Sequence, residues 1–171
     1  MPYDVKAVVN EFLKLARESN EPLSPMKLQK LVYFAHGWHL AVTGTPLISE
    51  PIEAWAYGPV VKSIYHDLKI YGSDAVTHPC VSADRSPRGT FAREPSIDDG
   101  PDPGANEMAK RIIRKVWTEY GRYSASRLAN MTHDPASPWS QTQNKNERGV
   151  KIDNSRIRDY FVSLARRAHE R

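Results

Sequence analysis

The sequence contains one cysteine, Cys80, so an internal disulfide framework is excluded. Nowhere does it hold the roughly 18 consecutive apolar residues that a membrane-spanning helix needs. Its opening stretch, MPYDVKAVVNEF, carries Asp4 and Glu11 among apolar residues, unlike the basic-then-apolar order of a secretory leader. Those features together predict a cytoplasmic protein with no membrane contact. Neither GxxxxGK[ST] nor GxGxxG occurs, so there is no recognisable phosphate cradle, and no internal repeat or low-complexity run is present.

What is there is the composition of a folding chain. Apolar residues make up 40% and charged residues 26%, within the globular range, and 171 residues suffice for one domain spanning 1–171. Charge is uneven: residues 1–100 hold 10 Lys+Arg against 12 Asp+Glu, and residues 101–171 hold 14 against 8. The basic character is C-terminal, and a net +4 spread over helices is ordinarily a solvated surface.

Periodicity predicts a mainly α fold of about six helices with one short strand or hairpin element. Asp4 can cap a helix whose Val5, Val8, Val9, Phe12 and Ala16 share a face. Ser24-Pro25 starts a second, central helix with the stripe Leu28, Leu31, Val32, Ala35, His39 and Val42, closed by Gly44. Alternation over 48–57 predicts a strand with Ile52, Ala54 and Ala56 on one side and Glu53, Trp55 and Tyr57 on the other. Gly58-Pro59 reads as a tight strand-to-helix turn, with Pro59 opening a helix that carries Val60, Val61, Ile64, Tyr65 and Leu68 as far as Gly72. Residues 73–104 predict a variable flap or a hairpin around Arg88-Gly89, held by Val81 and Phe91. Helical spacing returns with Met108, Ile112, Ile113, Val116, Trp117 and Tyr120, then from Ser124 to about Met131. THDPASPW, 132–139, reads as non-helical because proline disfavours the helical state in the residue before it. A polar connection over 140–150 leads to a last helix with Ile157, Tyr160, Phe161 and Leu164 on one side and Arg156, Arg158, Arg166 and Arg167 on the other.

Candidate chemistry is sparse. His36 and His39 lie three apart on a helix, but no third ligand of usual spacing accompanies them, so no metal is expected. His133-Asp134 could serve a hydrolase with Ser124, Ser126 or Cys80, yet adjacent side chains diverge and no nucleophile motif surrounds the serines; an aspartate before proline is a turn former. A helix-turn-helix reading fails on residue type: the helix after Gly58-Pro59 has Lys62, Lys69 and Asp67 but no Arg, Asn or Gln to read bases. Nucleic acid is therefore not an expected partner. Trp55 and Tyr57, projecting opposite Ala54, are of the type that anchors protein contacts, although packing against a helix competes for them.

The order of motifs is more telling than any one of them. SPMKLQKLVYFAHGWHLAVTGTPLISEPIEAWAYGPVVKSIYHDLKIYG, residues 24–72, resembles the signature half of the Panacea domain family, also met as phage-associated GepA-type proteins and SocA-like adaptors. The match is carried by Lys27, Leu28, Lys30, Leu31, Tyr33, Gly37 and His39 in the first run, and by Glu53, Trp55, Gly58, Pro59 and Val60 in EAWAYGPVV. His133, Pro138 and Trp139 in THDPASPW, and the later RIRDYF, extend the likeness to most of the chain. His36 departs from it, glutamine being the family's usual residue there.

The resemblance implies a helical fold without catalytic activity or cofactor, acting as an antitoxin that binds a cognate toxin protein. An alternative is an adaptor that delivers the toxin to a ClpXP-type protease; a DNA-binding regulator or a hydrolase ranks below both. Trp55, Tyr57, Tyr65 and Tyr71 around the signature, with Arg156 and Arg158 on the last helix, are the expected toxin contacts.

Overall fold

The computed structural model describes residues 1–143 and 147–171. Among them are seven α-helices, a three-stranded antiparallel sheet and a separate two-stranded hairpin. Capping residues set the first two boundaries. The Asp4 carboxylate accepts the Lys6 N–H to open α1, Val5–Glu18, and Ser24 caps α2, Pro25–Thr43, with Pro25 in its first turn. Gly44, at φ +74°, ends α2 in the left-handed conformation that costs glycine least.

α2 lies at the centre of the molecule. Twelve of its nineteen residues are buried, from Leu28 through Gly37 and then His39 and Leu40, which is possible only for a helix enclosed by other elements. α1, α4 (Pro103–Tyr120), α5 (Ala125–Thr132) and α7 (Asn154–His169) all pack on it. α7 approaches closest. A Cβ built on Gly37 would fall 2.2 Å from the Phe161 ring, so the missing side chain of one helix is the seat of the other's aromatic. Around that seat Tyr33, Phe34 and Trp38 meet the Phe161 ring edge to face, with centroids 5.2–6.0 Å away.

Several expectations need correction. Val42 is 61% exposed, because the last turn of α2 runs beyond its neighbours. The strand expected over 48–57 is three residues, β1 (Glu53–Trp55), and Gly58-Pro59 does not turn into a helix. Both belong to β2, Gly58–Val60, which pairs back on β1 with Trp55 opposite Gly58 and Ala54 opposite Pro59. The turn is Ala56-Tyr57, and α3 starts only at Lys62, running to Leu68. Proline fits β2 because that strand is a sheet edge, where its missing N–H breaks no ladder bond.

The hairpin β3 (Ser82–Ser86) and β4 (Gly89–Arg93) occupies the segment expected to be flap or hairpin, but Val81 and Phe91 are 51% and 56% exposed. Buried Val76, Cys80 and Ile97 tie that segment to the core instead. Residues 132–139 are not wholly irregular: Pro138 opens a five-residue helix, α6 (Pro138–Thr142), capped by Ser137. Ser137 itself is extended, as the residue before a proline should be, so the steric rule holds and only its consequence was drawn too widely. Beyond it, Val150–Lys151 forms β5, which pairs with β1; residues 144–146 of the expected polar connection lie outside the described residues.

Two helical glycines give a matched test. Gly37→Ala is expected to destabilise by about 1–3 kcal/mol through overpacking against Phe161, whereas Gly104→Ala, with only the Asp102 carboxylate 3.5 Å from the new Cβ, should be neutral or stabilising. Denaturant titration that ranks the two equally would contradict this view of the α2–α7 contact.

Candidate functional site

The two halves of the signature meet in space. Trp139, at the start of α6, donates its indole N–H to the Trp55 carbonyl at 2.7 Å, and the His133 ring stacks on the Trp139 indole with centroids 4.1 Å apart. Gly58, at φ +112°, passes over α2 so closely that a Cβ there would lie 2.8 Å from Thr132 Oγ1 and 3.0 Å from Lys30 Nζ. Only glycine suits both that dihedral and that space. The Lys30 ammonium, 1% exposed, donates to the Pro59 carbonyl at 3.1 Å, and the Gln29 amide pairs with both the N–H and the C=O of Val61. The hairpin β1–β2 is thus fastened to α2 by polar side chains in the otherwise apolar middle of that helix.

Beside the hairpin opens a groove of about 910 Å³. Its aromatic wall is Trp55, Tyr57 and Tyr65, with Met26 and Val60 adding apolar surface. The Trp55 and Tyr65 rings pack with centroids 4.8 Å apart, and the Trp55 indole N–H donates to Glu53 at 2.8 Å. Tyr57 belongs to the turn rather than the strand and is 75% exposed. Three of the expected contact residues are therefore brought together. Tyr71 is not among the groove's lining residues; it is half-buried against the core. Arg156 and Arg158 are exposed on α7 and likewise do not line it.

Other signature residues are architectural. The Lys27 ammonium donates to the Gly121 carbonyl at the end of α4 and lies over the Trp117 ring. Leu28 and Leu31 are fully buried, and the Tyr33 ring sits between Phe34 and Phe161. His39 Nδ1 donates to the Thr45 carbonyl at 2.8 Å, closing α2. His36 Nδ1 accepts from the Ile48 N–H, so in the neutral ring Nε2 carries the proton that meets Asn154 Oδ1 at 2.8 Å. Burial pushes His36 down to about 4, which keeps it neutral, and both nitrogens are committed to protein partners.

The hydrolase candidates are dispersed. Asn10 on α1 brackets Cys80 by bonding its N–H and its carbonyl, and burial pushes the Cys80 thiol up to about 11, away from the reactive thiolate. Ser124 caps α5, and Asp134 accepts the Ala136 N–H in a turn. Among the described residues no hydrogen bond joins His133 or Asp134 to Ser124, Ser126 or Cys80.

Sequence reasoning did not single out Gln29, Thr132 or Arg148, and it weighed Lys62 and Lys69 only as candidates for reading bases. Gln29 and Lys30 were visible as adjacent polar residues inside an apolar helix, a pattern that marks buried polar work. Thr132 and Arg148 carried no local signal, because their relation to Gly58 and to the groove exists only in the folded chain.

Lys30 costs the fold stability. Desolvation pushes its ammonium down to about 8 from 10.5, and among the described residues no carboxylate pairs with it. A lysine held that low carries a penalty of about 3 kcal/mol while charged. Below pH 8 the penalty is complete, and it fades as pH rises towards 10.5, because the unfolded chain then binds more protons than the native one. Lys30→Met is therefore expected to gain on the native protein below pH 8 and to lose that gain towards pH 10.5 in parallel denaturant titrations. A stability difference that stays flat across this range would show that the ammonium is not desolvated.

The family described as antitoxin SocA-like, Panacea domain, matches residues 28–140, the stretch that contains α2 from Leu28 onward, the hairpin, the groove's aromatic wall and Trp139. Antitoxin SocA of Caulobacter vibrioides (strain NA1000 / CB15N) is 31% identical over 162 residues, covering 92% of this chain and 82% of that protein. No solved structure matches the chain. The residues that fasten the β1–β2 hairpin to α2 and those that form its aromatic wall lie within the matched stretch, and the chain belongs to the antitoxin SocA-like, Panacea domain family.

Proposed function

We propose that this chain is an antitoxin that neutralises a cognate protein toxin by direct binding, without chemistry, and that the groove beside the β1–β2 hairpin is the docking surface. The observation that carries the reading is the aromatic wall of Trp55, Tyr57 and Tyr65, held in place by a buried lysine that costs stability. A buried charge kept against stability beneath an open groove is expected to serve function. Membership of an antitoxin family supplies the class of partner. Exposed Tyr57 on the hairpin and Tyr65 on α3 suit protein contact because tyrosines offer large area at small entropic cost.

An adaptor that presents the toxin to a ClpXP-type protease is the second reading. It needs a further surface, and the exposed Arg156 and Arg158 on α7, outside the groove lining, are candidates for it. Protease inhibition distinguishes the two: only an adaptor releases active toxin when the protease is blocked. No helix of the described residues is long and apolar enough to cross a membrane.

The test is genetic and then thermodynamic. The product of a neighbouring small gene should arrest growth when expressed alone and co-purify with this chain when the two are expressed together. Tyr57→Ala or Tyr65→Ala is expected to weaken the complex by about thirtyfold, the effect of removing an anchor worth about 2 kcal/mol. Asp134→Asn combined with Cys80→Ser should leave protection intact. Loss of protection in that folded double variant, with toxin still bound, would favour catalysis over binding.

A further inference from the structure

Three features define what the groove can hold. First, its centre is apolar and aromatic, and Tyr57 stands 75% exposed there. Second, its lining carries an excess of positive charge: among the described residues Lys30, Lys62, Lys69 and Arg148 face only Glu53 and Glu147, and Glu53 is already engaged by the Trp55 indole. The excess is local. The first hundred residues, which supply most of the lining, hold fewer cations than carboxylates overall, 10 against 12. Third, the groove's edge strand refuses a partner strand. β2 is a sheet edge, but Pro59 has no N–H and its carbonyl is taken by Lys30, so the sheet is not extended there by backbone pairing. On that edge an occupant gains no backbone ladder and is held through its side chains.

We propose that the groove receives an acidic segment of the partner protein, with an apolar side chain seated against Trp55, Tyr57 and Tyr65 and carboxylates facing Lys62, Lys69 and Arg148. This rests on the antitoxin reading above and adds the chemistry of the partner's contact segment. Lys30 works from beneath. Its ammonium, screened little by solvent and lacking a carboxylate of its own among the described residues, leaves positive potential in the groove wall that an anionic occupant relieves. A basic or neutral segment would instead desolvate these cations without compensation.

The experiment uses the full chain, the toxin encoded beside it, and overlapping synthetic peptides that tile that toxin. Lys62 and Lys69 are exposed, so Lys62→Glu with Lys69→Glu should fold normally, as circular dichroism would verify. Intact toxin should bind this double variant about tenfold or more weakly than the native chain, and added salt should weaken native binding more than variant binding. Peptides that shift the Trp55 indole resonance should be net acidic and carry an apolar residue, and Tyr57→Ala should abolish the shift. The proposal is overturned if charge reversal and salt leave affinity unchanged, if the peptides reaching the groove are neutral or basic, or if a second copy of this chain fills it, seen as concentration-dependent dimerisation that blocks the toxin. Toxin that binds while leaving the Trp55 resonance untouched sinks this inference alone; toxin that does not bind the native chain at all removes the antitoxin reading and this one with it.

Discussion

The enclosure of α2 is the constraint from which the rest of the structure follows. A helix buried on nearly every side must present small or apolar residues wherever another element lies close, and Gly37 opposite Phe161 is the tightest instance. Four polar residues, Gln29, Lys30, His36 and His39, remain inside. The first three find partners on other parts of the fold, Val61 after β2, Pro59 within β2 and Asn154 at the start of α7, and His39 bonds the Thr45 carbonyl just past its own helix. Buried polar groups that are paired fix one arrangement out of many apolar alternatives, because any shifted arrangement leaves them unpaired.

From that arrangement the site is built outward. β1 and β2 lie where Lys30 and Gln29 hold them, Trp139 of α6 closes on the Trp55 carbonyl, and β5 completes the far edge of the sheet. The hairpin then displays its turn, with Tyr57 outermost and Trp55 braced on Tyr65 of α3. A wall of this kind is rigid at its base and open at its rim, which lowers the entropy lost when a partner docks. The buried lysine is a cost in the isolated chain that the proposed anionic partner would relieve, the pattern expected where stability has been exchanged for recognition.

Much of this was legible in the sequence, for local reasons. Asp4, Ser24-Pro25 and Gly44 announce helix ends by their own chemistry, and the spacing of Leu28, Leu31, Val32 and Ala35 announces a buried face. The sequence groups Trp55, Tyr57, Tyr65 and Tyr71 as expected contacts around the signature, and the first three line one groove. Short elements were not legible. β2 is three residues with a proline in the middle, β5 is two residues, and α6 is five, so none is long enough to repeat its pattern. Each exists because a neighbour completes it: β1 for the two strands, and the core beneath Trp139 for the helix. Tyr71 illustrates the converse error, since its closeness in sequence to Tyr65 says nothing about facing the groove once the chain has turned through Lys69–Tyr71.

The central claim is that one face, the groove beside the β1–β2 hairpin, is where the partner sits. Hydrogen exchange of the full chain, with and without the cognate toxin, tests this most directly. The account predicts new protection in residues 53–65 and at the start of α2, with the β3–β4 hairpin unchanged. Protection confined to α7 or to the β3–β4 hairpin, with residues 53–65 exchanging as in the free chain, would contradict it.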